Sequence, residues 1–212
     1  YVVPAISQRL RLGYASCNGF HSLNDMKGVV PNAMWGVLPP GPAPKRKDQA
    51  GPIFTVLRQH LEEPVHLLML GGDQVYADPI WLSVPSLSAW VEEPDKWKAT
   101  FTPTMEREVK KFYFDLYTQR WSRPGPADAF ASIPTLMMWD DHDIFDGWGS
   151  YDKNIQESEV YQGIFRCARE CFEAFQLHRK PGDAGGADEG LIEERVRDPL
   201  RRNLTSCHRI DD

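Results

Sequence analysis

His66-Leu67-Leu68-Met69-Leu70-Gly71-Gly72-Asp73-Gln74-Val75-Tyr76-Ala77-Asp78 is the stretch whose reading decides the fold. An unbroken apolar run stops at two glycines and an aspartate. Such a run reads as a buried strand that delivers an acid to the carboxyl edge of a sheet. A second stretch repeats the design: Ile133-Pro134-Thr135-Leu136-Met137-Met138-Trp139-Asp140-Asp141-His142-Asp143. Open α/β sheets build their sites at that edge. Two strand ends rich in oxygen ligands, one with a histidine, point to a metal site with a proton donor beside it.

Working outward, Arg9 to Ser16 alternates polar and apolar and ends at Cys17-Asn18-Gly19, a first strand running into a turn. Residues 39–52 are proline-rich and polar, a loop. Phe54 to Leu61 reads as a short helix leading through Glu62-Glu63-Pro64 into the second strand, a usual α/β step. Pro79 to Pro103 has no clear period, and Trp81, Trp90 and Trp97 within it read as packing residues. Met105 to Trp121 is an amphipathic helix with Val109, Phe112, Leu116 and Tyr117 on its apolar stripe, stopped by Arg123-Pro124-Gly125-Pro126. Glu157 to His178 is a second helix, with Ile164, Ala168, Cys171, Phe172 and Phe175 facing inward. Residues 1–178 therefore read as one α/β domain, and residues 179–212 as a loosely ordered or surface-helical tail.

With 212 residues, 42% hydrophobic and 25% charged, the chain has enough apolar content for a substantial core. No apolar stretch approaches the roughly 20 residues of a spanning helix. The net charge of −6 argues against nucleic acid as partner, and the one basic cluster, Arg195 to Arg202, reads as a solvated face. No charged-then-apolar leader follows Tyr1, so the sequence names no compartment. The four cysteines, Cys17, Cys167, Cys171 and Cys207, form no Cys-x-x-Cys pair and no disulfide framework.

Asp140-Asp141-His142-Asp143 crowds three carboxylates around an imidazole, an arrangement that repels itself unless cations are present. A calcium-loop reading of Asp141 to Gly147 fails, because Phe145 stands where an EF-hand needs an oxygen and Asp146 where it needs glycine. Asp73 follows two glycines that let a metal or phosphate come close. Cys17, at the first strand's end, reaches the same edge, and a thiolate is a good ligand for a transition metal.

Tyr14-Ala15-Ser16-Cys17, Gly71-Gly72-Asp73-Gln74-Val75-Tyr76-Ala77-Asp78 and Trp139-Asp140-Asp141-His142-Asp143 together resemble the successive signatures of PhoD-like phosphatases, the alkaline phosphatase D branch of the metallophosphoesterases. The resemblance covers roughly residues 9 to 178. It implies a four-layer α/β/β/α sandwich, incomplete here at its C-terminal side, with a two-metal centre. By that resemblance Cys17, Asp73 and Tyr76 hold a ferric ion (Fe3+), and Asp73 bridges to a second metal, Ca2+, with Mn2+ or Zn2+ as alternatives. Asp141, or Asp140 in its place, stands for the family's metal-binding asparagine. His142 faces the scissile phosphate, and Asp143 holds His142 in orientation. Asn18 and Asn24 are further candidates for phosphate contact.

One departure stands out. The family completes its metal site with a later Gly-Asp-x-His segment, and none follows residue 143 here: Gly182-Asp183 continues as Ala184-Gly185, and His178 and His208 sit in other contexts. Two readings follow. The first is a metal-dependent hydrolase of small phosphate mono- or diesters, complete only with further chain. The second is a non-catalytic, phosphatase-like domain that binds a partner or a single ion.

Overall fold

The computed structural model describes residues 1–18 and 52–180. The proline-rich loop, Asn24, the Arg195 to Arg202 cluster, Cys207, His208 and nearly all of the expected tail lie outside the described residues. Within them the chain is mixed α/β, with a small parallel sheet and seven helices. The strands are β1 (Leu12–Ala15), β2 (Leu67–Gly71) and β3 (Thr135–Met138). They pair side by side in chain order, with Leu12 opposite Leu67 and Leu68 opposite Thr135. Helix α1 (Pro52–Glu62) precedes β2. Between β2 and β3 run α2 (Ile80–Ser83), α3 (Pro85–Val91), α4 (Pro103–Trp121) and α5 (Pro126–Ser132). After β3 come a 3-10 turn at Asp141–Asp143, α6 (Lys153–Gln156) and α7 (Glu159–Phe175).

The expected strands and long helices are present, with ends moved by a few residues. Helix α4 starts at Pro103 because Thr102 caps it: its side-chain oxygen accepts the Met105 amide at 3.2 Å, and proline suits the first turn. Helix α7 stops at Phe175, short of the expected His178. His178 takes the left-handed conformation (φ 53°), and the Arg179 amide reaches back to the Glu173 carbonyl at 2.9 Å. That reversal closes a helix, with histidine in the place usually given to glycine.

There are two apolar cores, and one of them covers a face of the sheet. One packs α1 and α5 on it, through Ile53, Ala129 and Ile133 against Leu68, Leu70 and Met137. The other lies among α2, α3, α4 and α7 and is largely aromatic. Trp81 and Trp90 stack at 6.0 Å, and Trp139 stacks on Phe172 at 4.4 Å. Trp81 and Trp90 of the irregular stretch are thus packing residues, as expected, and the third, Trp97, meets Trp90 edge-on at 5.3 Å. The inward stripe of α4 is Met105, Val109, Tyr113 and Tyr117, whereas Phe112 and Leu116 are only half-buried.

The unbroken apolar run of β2 reads as a strand covered on both faces. The structure gives alternation instead: Leu68 and Leu70 are buried, and Leu67 and Met69 are half-buried. On that second face the neighbouring Leu12 and Tyr14 are exposed, Tyr14 to 70%.

Candidate metal centre

Parallel pairing puts the carboxyl ends of all three strands on one edge. The ladder between β1 and β2 continues past the strands: the Cys17 amide donates to the Gly72 carbonyl (3.0 Å) and the Asn18 amide to that of Asp73 (2.8 Å). Gly72 has φ 114°, and a Cβ there would meet the Asp140 Cβ at 2.6 Å. Only glycine lets the end of β2 lie this close to the end of β3.

Four non-glycine residues among those described have left-handed backbones, and three of them are Cys17 (φ 59°), Asp73 (φ 53°) and Tyr76 (φ 51°). Backbone strain of this kind collects at functional sites. These three side chains also meet. The Cys17 thiol donates to Asp73 Oδ2 at 3.2 Å, and the Tyr76 hydroxyl lies beside the Cys17 sulfur. Burial pushes the titration of all three upward: Cys17 by desolvation, Asp73 by desolvation, and Tyr76 well above its ordinary value by desolvation and the neighbouring Asp73 charge.

From β3, the 3-10 turn brings its own groups. One ligand atom each from Asp73, Asp141 and His142 lies within 4.8 Å of the others. The His142 ring stacks on Tyr76, centroids 4.9 Å apart. Asp140 Oδ1 instead accepts the Asp141 amide at 2.9 Å, capping the turn.

The sequence reading gave Asp143 the task of orienting His142. Here Asp143 is buried and accepts the amides of Gln74 (2.7 Å) and Val75 (2.8 Å) at Oδ1 and of Asp140 (3.2 Å) at Oδ2. It ties the loop after β2 to the loop after β3. Burial, partly offset by these three amides, pushes it up to about 7. The carboxylate beside the imidazole is Asp78, whose Oδ1 is 2.8 Å from His142 Nδ1. Burial pulls the His142 ring down in pKa, but the Asp78 bond and the charges of Asp78, Asp73 and Asp141 outweigh it, and the net shift is upward.

Sequence reasoning quoted Asp78 but gave it no task. Its signal was an acid five residues after Asp73 inside an otherwise buried turn. Asp146 was also missed, and its Oδ1 lies 3.9 Å from His142 Nε2. Asn18 is not directed at the centre: its side-chain oxygen accepts the Ile53 amide at 3.2 Å, in the first turn of α1.

The donor set fits metal ions. Asp73 is nearly fully buried, and its Oδ1 has no hydrogen-bond partner, although burying a charged oxygen unpaired is costly. Carboxylates, imidazole, phenol and thiol on one edge suit a transition metal with a harder cation beside it.

The family model described as "PhoD related phosphatase" matches residues 51–182, well over half of the chain. The chain is 28% identical over 212 residues to "Uncharacterized protein YGR266W" of Saccharomyces cerevisiae, across 92% of this chain and 28% of that protein. It therefore spans just over a quarter of the length of that curated relative. No solved structure matches the chain. The chain belongs to the PhoD related phosphatase family, as its strand-end motifs led one to expect.

Proposed function

We propose, from this family membership and the strand-end geometry, that the protein is a metal-dependent hydrolase of small phosphate mono- or diesters. The observation that carries the reading is the convergence of Cys17, Asp73, Tyr76, Asp141 and His142 on one edge, with an orphaned buried oxygen on Asp73.

Cys17, Asp73 and Tyr76 would hold the first metal, Fe3+ by family resemblance. Asp73 would also help hold a second, Ca2+ or in its place Mn2+ or Zn2+. Asp141 is favoured over Asp140 for that second ion, because Asp140 is turned onto its own backbone. When bound, two cations supply charge neutralisation and a water of lowered pKa.

The chain's own residues supply the rest. Asp78 fixes the His142 ring through Nδ1, and Nε2 is the nitrogen that would serve the phosphate. In the metal-free protein the Asp78 bond and the neighbouring carboxylates raise the ring's pKa, and a protonated ring would suit a group that stabilises or protonates a leaving oxygen. Tyr76, stacked on the ring, limits its rotation. Asp143 locks the two strand-end loops in register.

The apolar face formed by Leu12, Tyr14, Leu67 and Met69 supports the finer architecture expected from the family, a four-layer sandwich. Parallel sheets are ordinarily covered on both faces, and a second sheet would cover this one. We place the catalytic domain at residues 1–178. Among the described residues no helix is long and apolar enough to cross a membrane.

The test is elemental analysis of the purified protein together with hydrolysis of p-nitrophenyl phosphate and bis-p-nitrophenyl phosphate. Near-stoichiometric iron with a second metal, and turnover lost on chelation, is the expected result. Metal without turnover of either ester would favour the non-catalytic domain that the missing Gly-Asp-x-His segment raised as the alternative.

A further inference from the structure

The loop after the 3-10 turn folds back over the centre on named supports. The Asp146 amide donates to Asp78 Oδ1 at 3.0 Å, the same oxygen that meets His142 Nδ1. The Tyr151 hydroxyl donates to the Asp146 carbonyl at 2.7 Å. The Gly147 amide donates to Asp141 Oδ2 at 2.7 Å, with Gly147 left-handed at φ 78°. The backbone at Asp146 and Gly147 is thus pinned to Asp78 and Asp141, and the Asp146 side chain stands beside His142. There Oδ1 stands 3.9 Å from Nε2, with 65% of the side chain exposed. Among the described residues no lysine or arginine pairs with it.

An exposed carboxylate at this point is a fixed negative charge at the mouth of a site that takes anions. A metal centre built only to attract phosphate gains nothing from it. It does discriminate by charge. A phosphate monoester carries close to two negative charges above pH 7, its second pKa being about 6. A phosphodiester carries one. The extra charge is repelled by Asp146, and the repulsion is felt at a few ångströms.

We propose that Asp146 is a specificity-determining residue that sets this centre against dianionic phosphate monoesters and in favour of monoanionic phosphodiesters. The inference rests on the phosphoester hydrolase reading and refines its substrate class. The reaction is consistent with it. Water forms a new P–O bond, the P–O bond to the leaving group breaks, and the leaving oxygen takes one of the water's protons. The product is a monoester, which releases the other proton as it ionises. That product then bears the charge Asp146 repels, so the same residue speeds its departure.

The experiment compares the full-length protein with Asp146→Asn, a near-isosteric change at an exposed side chain. Binding of methyl phosphate (dianion) and dimethyl phosphate (monoanion) to the metal-loaded proteins is measured by calorimetry at pH 8, alongside metal content. Asp146→Asn is expected to tighten methyl phosphate roughly tenfold and dimethyl phosphate, with half the charge, only about threefold, at unchanged metal content. In turnover, the KM for p-nitrophenyl phosphate falls by more than that for bis-p-nitrophenyl phosphate. Raising salt should narrow the wild-type preference, since the charge is exposed. Equal changes for both ligands would overturn the proposal. So would loss of a metal, which would make Asp146 a ligand. Failure of the metal-loaded wild type to bind either ester would contradict the phosphoesterase reading itself, and the charge filter with it.

Discussion

The aromatic core and the acidic sheet edge lie close together and are built on opposite terms. Phe145 meets Trp81 and Tyr161 edge to face at 4.9 and 4.8 Å, in and around ordinary helices. At the edge, three residues sit in left-handed conformations, and a buried oxygen of Asp73 has no hydrogen-bond partner among the described residues. The core gains stability from packing. The edge stores strain and like charge, which the fold tolerates because the core holds the strands and loops beneath it. Trp139 and Phe172 mark the border: Trp139 directly precedes Asp140, and its ring is stacked on α7.

The largest effect is expected on the core side. Phe172→Ala removes a fully buried ring, and the cost expected is about 3–5 kcal/mol in urea unfolding. At the border between the regions, Gly72→Ala is expected to cost about 2 kcal/mol, because its Cβ would collide with Asp140 and alanine resists φ 114°. It should also abolish metal uptake, which Phe172→Ala should leave intact in the molecules that remain folded. If Gly72→Ala kept both stability and metal, the close approach of the two strand ends would not be what builds the centre.

Some of this comparison is legible in the sequence. The 3.6-residue period of α4 and α7 and the apolar runs of β2 and β3 stand out because one face of each packs. The short helices α2, α3 and α5 do not, since four to seven residues are too few to show a period. In the α4 stripe Val109 and Tyr117 were legible, but Phe112 and Leu116 stood in for Met105 and Tyr113: Tyr113 looks amphipathic, yet it is buried and its hydroxyl donates to the Ile144 carbonyl. Site residues were legible as types on strand ends. Their partners were not, because in a 3-10 turn neighbouring side chains point apart, and spacing could not tell that Asp78, not Asp143, meets His142.

That exchange of partners gives a smaller, sharper test. Asp78→Asn should lower turnover about 10–100-fold, as loss of an orienting carboxylate does, while metal content stays near wild type. His142→Ala should likewise spare metal and lower turnover. Metal loss in His142→Ala would make the imidazole a ligand.

Acidity probes the edge without mutation. Asp143, at about 7, binds its proton more tightly in the folded than in the unfolded chain, and Asp73 and His142 shift in the same direction. Stability of the metal-free protein should therefore be greatest at the acid end of this window and fall as pH rises from about 4 to about 7. The stabilisation added by metal should grow over the same range, because ligands must lose protons to bind. A metal-free protein that grew more stable across that window in thermal melts would contradict the assignment.

The smallest stability change is expected from Asp73→Asn. Removing a buried charge in the metal-free protein should leave it within about 1 kcal/mol of wild type, or more stable. That variant also gives the most direct test of the metal centre. Titrate metal-free wild type and Asp73→Asn with iron and with calcium, and measure the metal retained after desalting. The account predicts near-stoichiometric retention by the wild type and none by the folded variant. Equal retention by both would show that Asp73 does not bridge a metal centre at this edge.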